Sequence, residues 1–427
     1  MYPYHIVEHI VPAQHIREFP RAVLDAEETV LNLHVKQYIP TDNPDPRPGD
    51  VTIIGAHANG FPKELYEPLW EDLHIRSKLH NFRIRSIWIA DVAHQGWSSV
   101  ANEELLGNDP SWFDHSRDLL HLINLKRDLM PQPIVGMGHS MGGAQLVNLS
   151  FMHPRLFRTL VLIDPVIQQQ ASVPESVGPS PARLSTFRRD VWPSREVAAK
   201  SFASSKFYQR WDPRVLDRWV TFGLRDMPTA LHPVDLVADG SKQVTLTTPK
   251  HQEVFTFLRP NYDHEGAGGK PVNRKERPDL DPSMPSFGNF YRSEGGATLM
   301  RIGQLRPSAL YVFGSESEIG RPEGAEKKVG MTGIAPGGSG GEKEGRVKGI
   351  TYEGIGHLIA MEAVQRLAED SAEWIGREVQ RWREEQDELQ RTWRSKPRRE
   401  RQMVDDLWKE QIGGPLGKKK VPAQPKL

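Results

Sequence analysis

An α/β fold, with a mostly parallel sheet covered by helices on both faces and an inserted cap, is the class this sequence predicts. Three observations predict it. Short, wholly apolar runs alternate with amphipathic helical stretches, the pattern of parallel strands buried on both faces. A Gly-His-Ser-Met-Gly segment stands directly between one such run and one such helix. The alternation stops near Ile167, is replaced by a Pro-, Arg- and Trp-containing stretch, and resumes near Leu310.

Taken in order, two strands open the fold, around Tyr4 to Val11 and Val30 to Tyr38. A turn-rich spacer, Thr41 to Asp50, leads to Val51-Thr52-Ile53-Ile54, the first strong buried strand, which ends in Gly55-Ala56-His57. An amphipathic helix follows near Lys63 to Lys78, then a strand over Arg83 to Ala90 and a helix over Ser111 to Asp128. Pro133 to Met137 is a strand, Gly142 to Met152 a helix and Leu160 to Ile163 another strand. Residues 1–166 thus form the first part of the core. Residues 167–305 form the cap insertion, with helices near Ser194 to Tyr208 and Arg214 to Phe222; Ser194, after Pro193, is a suitable N-cap. Residues 306–376 complete the core: a strand at Leu310 to Gly314, a Gly-rich stretch over Gly320 to Gly345 that reads as a mobile loop, and a last strand at Val347 to Tyr352. Residues 377–427 are the charged end of a helix running from about Ala360 to Lys396, then a flexible tail. The stripe Ile375, Val379, Trp382, Leu389 and Trp393 lies on that helix; its first part should dock on the sheet.

Composition narrows the function. Hydrophobic residues make up 37% and charged residues 26%, ordinary for a folded enzyme. The formal net charge is zero, so no global field draws the chain to nucleic acid. There is no cysteine, which excludes disulfides, thiolate zinc sites and a cysteine nucleophile. No run approaches the roughly 18 apolar residues of a membrane helix. The sixteen histidines show no metal-ligand spacing, and no phosphate loop or dinucleotide fingerprint appears, so neither metal nor cofactor is expected. The basic clusters Arg398 to Arg401 and Lys418 to Lys420 read as solvated tails. Pro425-Lys426-Leu427 resembles the Ser-Lys-Leu address of peroxisomal proteins, which makes an import receptor the expected partner and the peroxisome matrix the expected location.

The chemistry rests on three motifs. Gly138-His139-Ser140-Met141-Gly142 fits G-x-S-x-G between a strand and a helix, the nucleophile turn of the α/β-hydrolase fold. Glycines flank it because the turn is too sharp for side chains, and Ser140 is the expected nucleophile. His57-Ala58-Asn59-Gly60-Phe61-Pro62 ends the Val51 strand, where the fold places a second backbone donor for the oxyanion; the first is the Met141 N–H. The second should come from Asn59 to Phe61, with Asn59 and Phe61 as the named choices. Each donor contributes on the order of 3 kcal/mol. His57 is assigned a structural role in that loop. Gly356-His357-Leu358 follows the last strand, so His357 is the expected base. Two strand ends offer the acid. Asp164, in Ile163-Asp164-Pro165, has no rival there and is favoured. In Phe313-Gly314-Ser315-Glu316-Ser317-Glu318 the expected place holds Ser317, and Glu316 and Glu318 remain the alternatives. Trp192, Phe207, Tyr208 and Trp211 are expected to pack the cap, with an apolar acyl pocket as the other use.

These residues, together with Lys63-Glu64, Gly143, Gly337-Gly338-Ser339-Gly340-Gly341 and the terminal tripeptide, resemble the fungal peroxisomal α/β-hydrolases of toxin and mycophenolic acid biosynthesis, related to the yeast peroxisomal lipase. The resemblance spans most of the chain. It implies a triad of Ser140, Asp164 and His357. It also implies hydrolysis of an acyl-CoA thioester or carboxylic ester in the peroxisome, within secondary-metabolite (toxin) biosynthesis. A lipase or carboxylesterase with the same triad, and a non-catalytic binding protein on a hydrolase fold, are the competing readings.

Overall fold

The structure is a computed structural model; it describes residues 2–169, 180–233, 242–262, 275, 277–280 and 290–414. Lys418 to Lys420 and Pro425 to Leu427 therefore lie outside the described residues, as do parts of the 167–305 segment. The first half of the core runs β1 (Tyr4–Pro12), β2 (Asn32–Pro40), β3 (Val51–Ala56), α1 (Glu67–Leu79), β4 (Ile84–Ala90), α2 (Gly96–Ala101), α3 (Trp112–Leu125), β5 (Ile134–His139), α4 (Met141–Met152) and β6 (Thr159–Ile163). The intervening segment carries α5 (Pro181–Phe187), β7 (Val191–Trp192), α6 (Arg195–Ala203), α7 (Pro213–Phe222), β8 (Leu224–Asp226), β9 (Val244–Leu246), α8 (Lys250–Phe257), β10 (Arg259–Pro260), β11 (Phe290–Tyr291) and α9 (Glu294–Arg301). The chain then returns through β12 (Ser308–Gly314), α10 (Pro322–Met331), β13 (Val347–Tyr352), α11 (Ile359–Glu362), α12 (Val364–Leu389) and α13 (Asp406–Gln411).

Eight strands form the main sheet in the order β1-β2-β4-β3-β5-β6-β12-β13. Only β1 with β2 and β2 with β4 pair antiparallel; the remaining pairs are parallel. Every residue of β3 and β5 is buried, including the polar Thr52 and His139, as central strands of a sheet covered on both faces are. Alternate residues supply the two faces. Ile53, Val135, Val161, Leu310 and Val312 pack with Leu69, Leu73, Leu367, Ile375 and Val379 of α1 and α12. Ile54, Ile134, Leu160 and Leu162 pack with Leu119, Leu122, Leu146 and Leu149 of α3 and α4. Parallel strands bring all their carboxyl ends to one edge, and loops at that edge are where such sheets place their sites.

The segment between β6 and β12 has its own small antiparallel sheet, β7-β9-β8. Its N-caps follow the expected chemistry: Ser194 accepts from Val197 N–H and Asp212 from Arg214 N–H. The rings of Trp192, Phe202, Tyr208, Trp211 and Trp219 pack together in edge-to-face, tilted and stacked pairs, and Phe61 of the core joins them edge to face.

Two expectations are corrected. The Gly-rich stretch is not a mobile loop: it contains α10, whose Ala325 and Val329 are buried under the sheet. The glycines after it form bonded turns, with Ala335 N–H donating to Gly303 O, Ser339 N–H to Leu305 O and Gly340 N–H to Gly333 O. The helix expected from Ala360 is interrupted at Ala363. The Met361 carbonyl accepts from Asp212 N–H of the intervening segment, so it is engaged outside the helix at that turn. By its contacts the chain forms two units, Met1–Val379 and Gln380–Leu427. No described helix is long and apolar enough to cross a membrane.

Candidate active site

Ser140 caps α4 at φ 58° and ψ −118°, a backbone conformation that costs about 1–3 kcal/mol and persists only where the surroundings enforce it. The enforcement is visible. Ser140 N–H donates to Ile163 O at 2.8 Å, while Ser140 O accepts from Gly143 N–H and Val166 N–H. A Cβ on Gly142 would stand 2.2 Å from the Ala56 carbonyl oxygen, so only glycine lets α4 pack on the end of β3. The turn lifts the Ser140 hydroxyl off the sheet edge.

Residues His139 and Ile163 are paired in register, so the next residues, Ser140 and Asp164, leave neighbouring strands side by side. His357 arrives from beyond β13. Its Nε2 lies 2.8 Å from Ser140 Oγ and its Nδ1 2.6 Å from Asp164 Oδ2. A carboxylate can only accept, so Nδ1 carries the proton and Nε2 offers its lone pair to the serine hydroxyl. Asp164 is fully buried. Ser317 Oγ also donates to Asp164 Oδ2. Thus the strand end after β12 supplies a hydroxyl to the carboxylate rather than the carboxylate itself. Glu316 and Glu318, the alternative acids, face other partners: Glu316 pairs with Arg210 at 2.8 Å and Glu318 with Arg321. Behind the acid, Lys328 of α10 is buried and donates to Pro165 O at 3.0 Å. Burial pushes its ammonium down to about 8, against the opposing pull of Asp164.

The loop after β3 lies against the nucleophile turn, since Gly142 packs on the carbonyls of Ala56 and His57. Met141 opens α4, where the first N–H groups have no partner within the helix. Of the three backbone donors from Asn59 to Phe61, two are engaged. Gly60 N–H donates to Gln95 Oε1 at 2.8 Å, and the turn folds Phe61 N–H back onto Ala58 O at 3.3 Å. Phe61 is therefore placed as a packing residue against Trp211 and Trp219. Asn59 N–H has no partner among the described residues, while its side chain is held at both ends: Oδ1 accepts from Gln95 Nε2 at 2.7 Å and Nδ2 donates to Glu253 O at 3.0 Å. His57 accepts Val92 N–H on Nε2 and donates from Nδ1 to Ala58 O, so both ring nitrogens serve the loop.

Sequence reasoning missed the support beneath this loop. Lys63 is wholly buried and contacts Asp91 Oδ2 at 2.6 Å and Glu64 at 3.0 Å; Asp91 also accepts the N–H groups of Lys63 and Trp97. Lys63 lies within the quoted motif, but its partner is distant in sequence. The aromatic residues Trp192 and Trp211 are buried among their neighbours, whereas Phe207 is exposed.

A strained serine between a strand and a helix, a histidine after the last strand and a buried aspartate after the strand beside the serine's own are the arrangement of one large class. Residues 53–268 match the family described as alpha/beta hydrolase, and the chain belongs to that family. Among its relatives, the type I acyl-CoA thioesterase mpaH' of Penicillium brevicompactum is 42% identical over 406 residues, covering 91% of this chain and 90% of that one. The type I acyl-CoA thioesterase mpaH of Penicillium roqueforti is 40% identical, with the same coverage of 91% and 90%. A protein of Alternaria alternata described as abhydrolase domain-containing, AFT2-1, is 28% identical, covering 67% of this chain and all of its own length. In fold, the peroxisomal α/β-hydrolase Lpx1 of Saccharomyces cerevisiae is similar, with a TM-score of 0.66 at 17% identity over 89% of this chain and 90% of that one.

Proposed function

We propose that this chain is a serine thioesterase that hydrolyses acyl-CoA through Ser140, His357 and Asp164. The observation that carries the reading is the unbroken line from Ser140 Oγ through the two nitrogens of His357 to the buried Asp164 carboxylate, at 2.8 and 2.6 Å. Ser140 Oγ attacks the acyl carbonyl carbon as His357 Nε2 takes its proton. Asp164 holds the tautomer and stabilises the imidazolium. The N–H groups of Met141 and Asn59 receive the oxyanion, and collapse expels the thiolate, which takes the proton from His357. Water then repeats the attack on the acyl-serine, the proton passes through His357 again, and a free acid leaves with Ser140 restored. No cofactor takes part in these steps.

A thioester substrate, with the CoA thiolate as leaving group, is supported by the two Penicillium relatives, which span nine-tenths of their length with this chain at 40% and 42% identity. A place in the peroxisome, with import through Pro425-Lys426-Leu427, and a role in secondary-metabolite biosynthesis belong to the same proposal. The test is hydrolysis of a panel of acyl-CoA thioesters beside matched p-nitrophenyl esters, with Ser140→Ala as control. An excess for the thioesters that disappears in the variant is expected. Faster cleavage of the oxygen esters would overturn the thioesterase reading in favour of a carboxylesterase or lipase, and activity retained in Ser140→Ala would overturn the mechanism. A fluorescent fusion that loses peroxisomal localisation on deletion of the last three residues is the expected result for import.

A further inference from the structure

We infer that Tyr66 and His139 are positioning residues for this hydrolysis: a one-way chain of hydrogen bonds through them ties the loop carrying Asn59 to the backbone of the base. The inference rests on the Ser140–His357 reading. Ala58 N–H donates to Tyr66 Oη at 2.9 Å, Tyr66 Oη lies 2.9 Å from His139 Nδ1, and His139 Nε2 lies 2.9 Å from the carbonyl oxygen of His357. Both side chains are buried.

The two ends set the direction of every link. The Ala58 amide can only donate and the His357 carbonyl can only accept. His139 must therefore carry its proton on Nε2. A neutral ring with that proton has a lone pair on Nδ1, which accepts the single Tyr66 hydroxyl proton, and Tyr66 Oη accepts the Ala58 N–H in turn. An imidazolium would point a second proton at Tyr66 and leave the phenol hydrogen without an acceptor. Burial, reinforced by the neighbouring His357, holds His139 down to about 3, and burial raises Tyr66 above the ordinary phenol range. The chain thus keeps one arrangement across the pH range in which an imidazole base works.

Its contact points lie next to the reacting groups. Ala58 precedes Asn59, His139 precedes Ser140, and the last acceptor is the backbone of His357 itself. Three loops that leave β3, β5 and β13 are fixed relative to one another by two buried side chains. A misplacement of about 1 Å between such groups costs roughly 10²-fold in rate.

The experiment compares wild type, Tyr66→Phe, His139→Gln and the double variant on one substrate, together with the rate at which a fluorophosphonate labels Ser140. Tyr66→Phe is expected to lower kcat about 10- to 100-fold with KM changed less than about twofold, and to slow labelling by the same factor. His139→Gln replaces the rigid ring, which holds its acceptor and donor in place between Tyr66 and the His357 carbonyl, by a flexible amide, and the double variant is expected to be no slower than the slower single one, since both break the same chain. Rates are referred to the concentration of folded protein from thermal melts. Wild-type kcat and labelling in folded Tyr66→Phe would overturn the chain, as would multiplicative losses in the double variant. Labelling that persists in Ser140→Ala would instead overturn the underlying nucleophile assignment.

Discussion

The carboxyl edge of the main sheet and the segment inserted between β6 and β12 use side chains in opposite ways. At the edge, each residue is demanded by a specific bond or backbone angle: Ser140 at φ 58°, His357 bridging at 2.8 and 2.6 Å, Ser317 on the far side of Asp164. In the insertion, Trp192, Phe202, Tyr208, Trp211 and Trp219 fill volume at ring separations of 4.9 to 6.3 Å, and the indole N–H groups of Trp192 and Trp211 have no hydrogen-bond partner among the described residues. Directional bonds fail when one atom is removed or misplaced. Close packing fails in proportion to the volume lost. Substitutions at the edge should therefore remove activity and spare the fold, and those in the insertion should do the reverse.

The largest separation of the two is expected at Ser140→Ala, which should lower kcat/KM by about 10⁴-fold or more while the melting temperature shifts by only a few degrees; a large loss of stability would erase the contrast. Asp164→Asn should cost about 10⁴-fold in kcat by imposing the wrong imidazole tautomer, whereas Glu316→Gln stays close to wild type. Steady-state kinetics of the pair distinguishes the two acids. In the insertion, Trp211→Ala should cost about 3–5 kcal/mol of stability, read by denaturant titration, with the folded fraction still labelled at Ser140. Lys63→Met sharpens the comparison from within the core, because it leaves the buried Asp91 without its cation. A loss of about 3–5 kcal/mol is expected there too.

Stability should also depend on pH. Burial lowers His94 and His139 to about 3, below the 6.5 of an exposed imidazole. A depressed value means the folded state binds the proton less readily than the unfolded one. The resulting stability is present above pH 6.5 and is lost as pH falls through 3. Thermal midpoints measured across that window should fall on acidification, and less steeply in His139→Gln.

The parallel sheet was legible in the sequence, and Ser140 and His357 could be proposed as nucleophile and base from it, because each stands in a locally dictated pattern. A strand–turn–helix elbow needs glycine at set spacings, and buried strands need unbroken apolar runs. Asp164 was favoured on the same local grounds, by its place at a strand end. The reason Glu316 could not be dismissed is that its ion partner, Arg210, lies 106 residues away and is recognisable only once the chain is folded, whereas Glu318 pairs locally with Arg321. Tertiary structure alone decided the rest. Ser317 meets Asp164 across 153 residues, Lys63 finds Asp91, the Asn59 side chain is held by Gln95 and Glu253, and the Gly-rich stretch orders itself around α10. Hydrogen bonds and close packing between segments far apart in the chain depend on distances that no local pattern of residues encodes, and the support of the site is built from them.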